Sequence, residues 1–197
     1  MNTKKIVNFI FELGMLKKVR HSGWQLVGIK NPDTIAEHAL LAAQIGYILA
    51  VMEGDVNPEK VTTMLVIHDN VETRTGDPNK INSRYFDKKP AEEKAIKEQL
   101  DNLGEVIKKK WLAYFEEFEM RNTKEGVIAK DADWLEMAFQ AKEYYDCGYK
   151  AVIDWINNVE KAVETRSAKL IIKEMKKTEF TAWFRNLQKM TYTKLKK

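Results

Sequence analysis

Cysteine is almost missing from this chain. The one Cys147 in 197 residues excludes an intrachain disulfide and fits a reducing compartment. Glycine and proline are also scarce, at nine and four residues, which argues against an architecture of many short strands joined by tight turns. Charge of one sign is not in large excess: 33 Lys and Arg face 29 Asp and Glu, and the formal +4 is scattered, so nucleic-acid binding is not demanded. No stretch approaches the 18 uninterrupted apolar residues of a membrane span. The start of the chain, with Lys4, Lys5, Glu12, Lys17 and Lys18 among its apolar residues, reads as an amphipathic helix and not as a signal peptide. The expectation is a soluble, cytoplasmic protein without a membrane or nucleic-acid partner.

Helix formers are plentiful. Ala, Leu, Lys, Glu and Met dominate, hydrophobic residues make up 44% and charged residues 31%, so the chain can bury a core. We expect an all-α, single-domain bundle of about eight helices over residues 1–197, with the informative motifs in 16–146 and further amphipathic helices in 151–190 packing on that part. Those later helices, around Ala151 to Val163, Arg166 to Lys176 and Phe180 to Lys189, carry Trp155, Phe180, Trp183 and Phe184 but no evident chemistry. The Lys-rich stretch Lys194 to Lys197 is expected to fray.

The chemistry concentrates at Leu65-Val66-Ile67-His68-Asp69-Asn70-Val71-Glu72, followed by Gly76-Asp77. If the helix through Ile67 continues, His68 and Glu72 share one face, and imidazole with carboxylate suits a borderline or hard divalent cation. The chain has only three His, and two fall on consecutive helices. Thr34 and Glu37 form a capping box, which puts His38 in the first turn of the helix they open. Asn57-Pro58 opens the next, which ends in His68-Asp69. The polar loop after Glu72 brings Asp77 toward the same cleft. In Lys130-Asp131-Ala132-Asp133 the two acids are two residues apart, so at most one turns inward and the other is expected in solvent. Upstream, Arg20 can pair with a phosphate and Trp24 can stack on a base; the alternative is a surface Arg and a Trp that caps the core. His21 has no obvious partner.

Thr34-Ile35-Ala36-Glu37-His38, Ile67-His68-Asp69-Asn70-Val71-Glu72 with Gly76-Asp77, and Ala129-Lys130-Asp131-Ala132-Asp133-Trp134-Leu135-Glu136 together resemble the H…HD…D signature of the HD-domain phosphohydrolases. Leu16 to Arg20, Gly23-Trp24 and Gln140 to Tyr144 resemble its 5'-deoxynucleotidase branch. The resemblance implies an HD-type helical fold and one divalent metal ion, with cobalt, manganese, magnesium, zinc and iron all open, held by His38, His68, Asp69 and Asp133. It implies Glu72 and Asp77 as catalytic carboxylates, Arg20 and Trp24 as substrate-binding residues, and a nucleotide substrate. The implied activity is hydrolysis of deoxynucleoside 5'-monophosphates. The alternatives are another phosphoester, such as a nucleoside triphosphate, a cyclic nucleotide or a guanosine polyphosphate, or a non-catalytic nucleotide-binding module. It also implies a homodimer, for which exposed aromatics of the last quarter could supply the interface.

Overall fold

The computed structural model describes residues 2–101, 103–185 and 187. Among these residues, eight helices of ten or more residues make up the bundle: α1 (Thr3–Leu13), α3 (Ile35–Glu53), α4 (Pro58–Ile67), α6 (Lys89–Leu100), α7 (Glu105–Met120), α8 (Lys124–Asp146), α9 (Ile153–Ala162) and α10 (Arg166–Met175). Three single turns, α2 (Ser22–Gln25), α5 (Glu72–Thr75) and α11 (Ala182–Arg185), lie between and after them. Among the described residues no strand forms; one isolated antiparallel bridge pairs Arg20 with Thr34. The all-α expectation holds.

Local chemistry sets the helix starts. Thr34 accepts from the Glu37 amide while the Glu37 carboxylate accepts from the Thr34 amide, so α3 opens on a full capping box. Asn57 caps α4, Thr123 caps α8 and Thr165 caps α10 in the same side-chain manner.

α3, α4 and α8 pack on one another at the centre. Their contact faces bury Leu49, Met64, Leu65, Ile128 and Leu135, and α9 and α10 extend that core with Ile156 and Ile172. Gly46 lets α3 approach α4 closely, since a Cβ there would stand 2.2 Å from Leu65 Cδ1. That approach brings the His38 end of α3 to the His68 end of α4. A second cluster of Phe9, Val71, Ile96, Leu100, Leu103 and Phe115 joins α1, α6 and α7 behind the turn that follows His68.

Within these elements the structure differs from the sequence reading at two places. The helix does not continue through His68: α4 stops at Ile67, and residues 68–71 tighten into bonds such as Asn70 N–H to the Ile67 carbonyl and Glu72 N–H to the Asp69 carbonyl before α5 begins. Asp131 is buried, not solvated, and accepts from the Glu164 and Thr165 amides and the Thr165 hydroxyl at the start of α10. The last expected helix is described only over Ala182–Arg185, and both its continuation to Lys189 and the stretch Lys194 to Lys197 lie outside the described residues. By length and composition α3 could cross a membrane, yet it packs on α4 and α8 as the core helix of the bundle.

Candidate metal centre

Three helices bring four candidate metal-binding side chains together. His38 comes from the first turn of α3, His68 and Asp69 from the end of α4, and Asp133 from the middle of α8. Ligand atoms of His38, His68 and Asp69 all lie within 4.8 Å of one another. Asp133 Oδ1 stands 3.3 Å from His38 Nε2 and 3.9 Å from His68 Nε2, while Asp69 Oδ2 is 3.6 Å and 3.0 Å from the same two nitrogens.

The far side of each ring explains its orientation. His68 Nδ1 sits 2.7 Å from the Leu65 carbonyl, which has no proton to give, so Nδ1 carries the hydrogen and Nε2 presents its lone pair to the site. His38 Nδ1 is paired with the Glu136 carboxylate, which sets the same tautomer. His68 Nε2 is buried and, despite its closeness to Asp69, has no aligned hydrogen-bond partner. Two imidazole nitrogens and two carboxylate oxygens brought to one point form a donor set that a shared cation can bridge. The donor set, two imidazoles and two carboxylates, suits a divalent metal.

Without an ion, these groups offset one another's charge. Burial alone would raise the Asp133 carboxyl, but Lys130 and His38 outweigh it and hold the group well below the usual carboxylate range. Lys130 Nζ bonds Asp133 Oδ2 at 2.7 Å, leaving Oδ1 to the histidines, and lies over the Phe118 ring. Burial also opposes ionisation of Asp69, and His68 overrides it, bringing the carboxyl down to about 2. For His38, burial disfavours the proton, yet Asp133 and Glu136 raise its pKa well above the ordinary imidazole value.

Glu72 behaves oppositely. Its burial, with the Asp69 and Asp77 charges nearby, pushes it up to about 10, and its Oε2 has no partner among the described residues. Asp77 follows Gly76, whose φ of 69° favours glycine, and its carboxylate and carbonyl accept from the amide and hydroxyl of Ser22. That pair ties the 20–24 loop to the site.

On that loop the structure redistributes the expected roles. Trp24 is fully buried, with its ring against Tyr144 and Trp155, so it caps the core and is not open to stack on a base. Arg20 is exposed, and its guanidinium donates to the Pro32 carbonyl. His21, unassigned by sequence, is the loop residue that reaches the centre: its ring meets His38 edge-on at 4.8 Å, and its Nδ1 is 2.6 Å from Asp33 Oδ2. Burial opposes a charge on His21, but Asp33 reverses that and raises its pKa.

The model of the HD domain matches residues 13–176. The chain belongs to the HD-domain family. The family match runs through α10, so α9 and α10 are included in it. Among HD-domain relatives, 5'-deoxynucleotidase hdd1 of Schizosaccharomyces pombe is 34% identical over 159 residues, covering 73% of this chain and 76% of that protein. The human 5'-deoxynucleotidase HDDC2 is 26% identical over 148 residues, 75% of this chain and 72% of that protein. A solved structure of a conserved hypothetical protein from Pyrococcus furiosus superposes with a TM-score of 0.75 at 30% identity, over 87% of this chain and 99% of that one.

Sequence reasoning missed the layer behind these candidate ligands. Glu136 lies three residues beyond Asp133, a spacing that puts both on one face of α8 and could have signalled it. Nothing comparable marks the pairing of His21 with Asp33, which joins two loops. Lys88, just before α6, was also missed: burial opposes its charge, but Glu92, and then the carboxylates of Glu72 and Asp69, raise its pKa.

Proposed function

We propose that the chain is a metal-dependent 5'-deoxynucleotidase that hydrolyses deoxynucleoside 5'-monophosphates to deoxynucleosides and phosphate. The observation that carries this reading is the convergence of two imidazole lone pairs and two carboxylates beside Glu72, a buried carboxyl with an unpartnered oxygen. The names of the HD-domain relatives, 5'-deoxynucleotidases covered over about three-quarters of their length, supply the substrate class.

His38, His68, Asp69 and Asp133 would hold the cation. A divalent ion there supplies Lewis acidity toward a phosphate oxygen and lowers the pKa of water beside it from 15.7 toward about 7. Glu72 handles the proton. Burial and two neighbouring carboxylates favour its acid form, the form that can give a proton, and a dication held nearby would favour its base form, the form that can take one. Asp77 shares that work and fixes the loop through Ser22. His21, steadied by Asp33, borders the centre from the loop side and is the group there suited to a phosphate oxygen. The metal is one of cobalt, manganese, magnesium, zinc or iron, and the protein acts as a homodimer.

The test is phosphate release from ribo- and deoxynucleoside mono-, di- and triphosphates by protein stripped of metal and resupplied with cobalt, manganese or magnesium. Release from deoxynucleoside monophosphates is expected, and Glu72→Ala should lower kcat by at least about 100-fold while metal binding persists. Turnover unchanged in Glu72→Ala would refute its role, and activity confined to triphosphates or cyclic nucleotides would replace the substrate class.

A further inference from the structure

Helix α6 turns one stripe inward. Lys88, Glu92, Ala95, Ile96 and Gln99 recur at helical spacing, and Lys88, the N-cap, already has helical backbone angles, so the five share one face. The far end of the stripe is fixed on the turn behind His68-Asp69. There the Gln99 amide donates to the Asn70 carbonyl and the Thr73 hydroxyl, and Ala95 and Ile96 join the apolar cluster of Val71. Toward its start the same stripe changes from apolar to charged. Glu92 is buried, Lys88 is partly covered, and Lys88 Nζ stands 2.9 Å from Glu92 Oε1. The charges of Glu72 and Asp69 reach Lys88, and that of Asp69 reaches Glu92, so the pair borders the metal centre.

We infer that Lys88 is a substrate-binding residue whose ammonium takes a non-bridging oxygen of a terminal phosphate, and that its charge selects phosphate monoesters over diesters. This rests on the nucleotidase reading and adds a specificity-determining cation to it.

The surroundings require such a cation. Asp69, Glu72, Asp77 and Asp133 gather around the centre, and an anionic phosphate entering among acids must be met by donors of positive charge. Two nearby cations are engaged elsewhere: the Arg20 guanidinium donates to the Pro32 carbonyl, and Lys130 Nζ to Asp133 Oδ2. Lys88 is not used up in this way. Among the described residues Glu92 is its one ion-pair partner, and an ammonium has three protons to donate. Its side chain is 43% exposed, which leaves the flexible four-carbon stem free to carry Nζ from Glu92 toward a ligand. His21 approaches the centre from the 20–24 loop and Lys88 from α6, so a phosphate bound there meets donors from both elements.

The same charge discriminates between esters. Near pH 7 a phosphate monoester carries roughly −1.5 to −2, with a second pKa of about 6, whereas a diester carries a single negative charge. A cation at the rim therefore favours a nucleoside monophosphate over a cyclic nucleotide. The competing role for Lys88 is that of a counterion which only offsets Asp69 and Glu72. The two roles part on removal of the charge: loss of a counterion moves proton equilibria, and loss of a ligand weakens the hold on phosphate itself.

Calorimetric titration of inorganic phosphate into the cobalt-loaded full chain, as wild type and as Lys88→Met, tests this. Methionine keeps an unbranched stem and removes the charge. The expected result is a loss of phosphate affinity of about 10–100-fold, the size of one charged hydrogen bond, with cobalt affinity unchanged. In turnover, KM for deoxynucleoside monophosphates should rise by a similar factor, while the inhibition constant of a cyclic deoxynucleotide moves by about threefold or less. Equal losses for phosphate and the cyclic nucleotide would overturn the selectivity. Phosphate affinity within about twofold of wild type, with only the pH profile of kcat displaced, would make Lys88 a counterion and leave the nucleotidase reading standing. A wild type that neither binds phosphate nor releases it from monophosphates would overturn both. Should circular dichroism show Lys88→Met unfolded, acetylation of the cobalt-loaded wild type decides. Phosphate is expected to slow modification of Lys88 relative to the other lysines, read by mass spectrometry, and equal modification with and without phosphate overturns the inference.

Discussion

At the scale of single residues, the centre depends on acceptors that stand behind the ligands. The Leu65 carbonyl and the Glu136 carboxylate each hold an Nδ1–H, and only then are both Nε2 atoms free to face Asp69 and Asp133. The two supports differ in how they can be removed. A backbone carbonyl survives any substitution, but Glu136→Gln exchanges a charged acceptor for an amide and lets the His38 ring take either tautomer. We expect this change to weaken metal binding by about 10–100-fold while leaving the fold intact, as measured by competition with a chelator. Affinity within about twofold of wild type would mean that Glu136 only fills space. His38, His68 and Asp69 were legible in the sequence because a residue type that occurs three times appears on two successive helices beside an acid. The choice between Asp131 and Asp133 was not, since spacing says that they diverge and not which one turns inward. Both are used: Asp133 faces the histidines and Asp131 caps α10, so the expected solvated acid does not exist. Trp24 illustrates the same limit, because an aromatic beside an Arg reads alike whether it covers a ligand or the core.

At the scale of elements, the turn after His68 is held from outside. Glu12 on α1 accepts from Arg74 and Thr73 of α5, and Gln99 of α6 reaches Glu12 and the Asn70 carbonyl, so two helices, α1 and α6, clamp residues 70–74 behind His68-Asp69. The Arg74 bonds hold the Glu12 carboxyl below its ordinary value, although its partial burial works the other way. A carboxylate whose pKa falls on folding adds stability above its unfolded value, near 4.5 here, and loses it as pH drops through the folded one. Glu12→Gln should therefore cost about 1 kcal/mol near pH 7, the low end for a charged hydrogen bond because water screens the pair, and lower Tm by roughly 2–4 °C. The gap between wild type and variant should close as pH falls below 4.5, and a gap that is constant with pH would assign the loss to packing. The helix starts were legible, because capping is local and Thr34, Asn57 and Thr123 sit directly before their apolar runs. The stop at Ile67 was not. No Gly or Pro follows it, and the tight turn through 68–71 is maintained by α1 and α6, which come from elsewhere in the chain.

At the scale of the whole molecule, the centre staples positions 38 and 133, nearly a hundred residues apart, and α8 extends the connection to the last quarter. Asp131 leaves α8 one turn-face away from Asp133 and captures the first amides of α10, while Glu53 at the end of α3 takes the Ser167 amide. Helices α3 and α8 therefore both hold the start of α10, and each also carries a residue proposed to hold the metal, His38 and Asp133. An ion bound by three helices in N and by none in U stabilises the folded state by RT ln(1 + [L]/Kd), about 2.7 kcal/mol at a hundred times Kd. For a chain of this size that corresponds to a rise in Tm of roughly 5–10 °C. Calorimetry with and without a chelator should show it as one transition that moves as a unit, and Asp133→Asn should abolish most of the shift by leaving the ion with an incomplete ligand set. Two transitions, of which metal moves only the first, would instead mean that α9 and α10 melt on their own, and that the capping of α10 by Asp131 does not couple the last quarter to the centre.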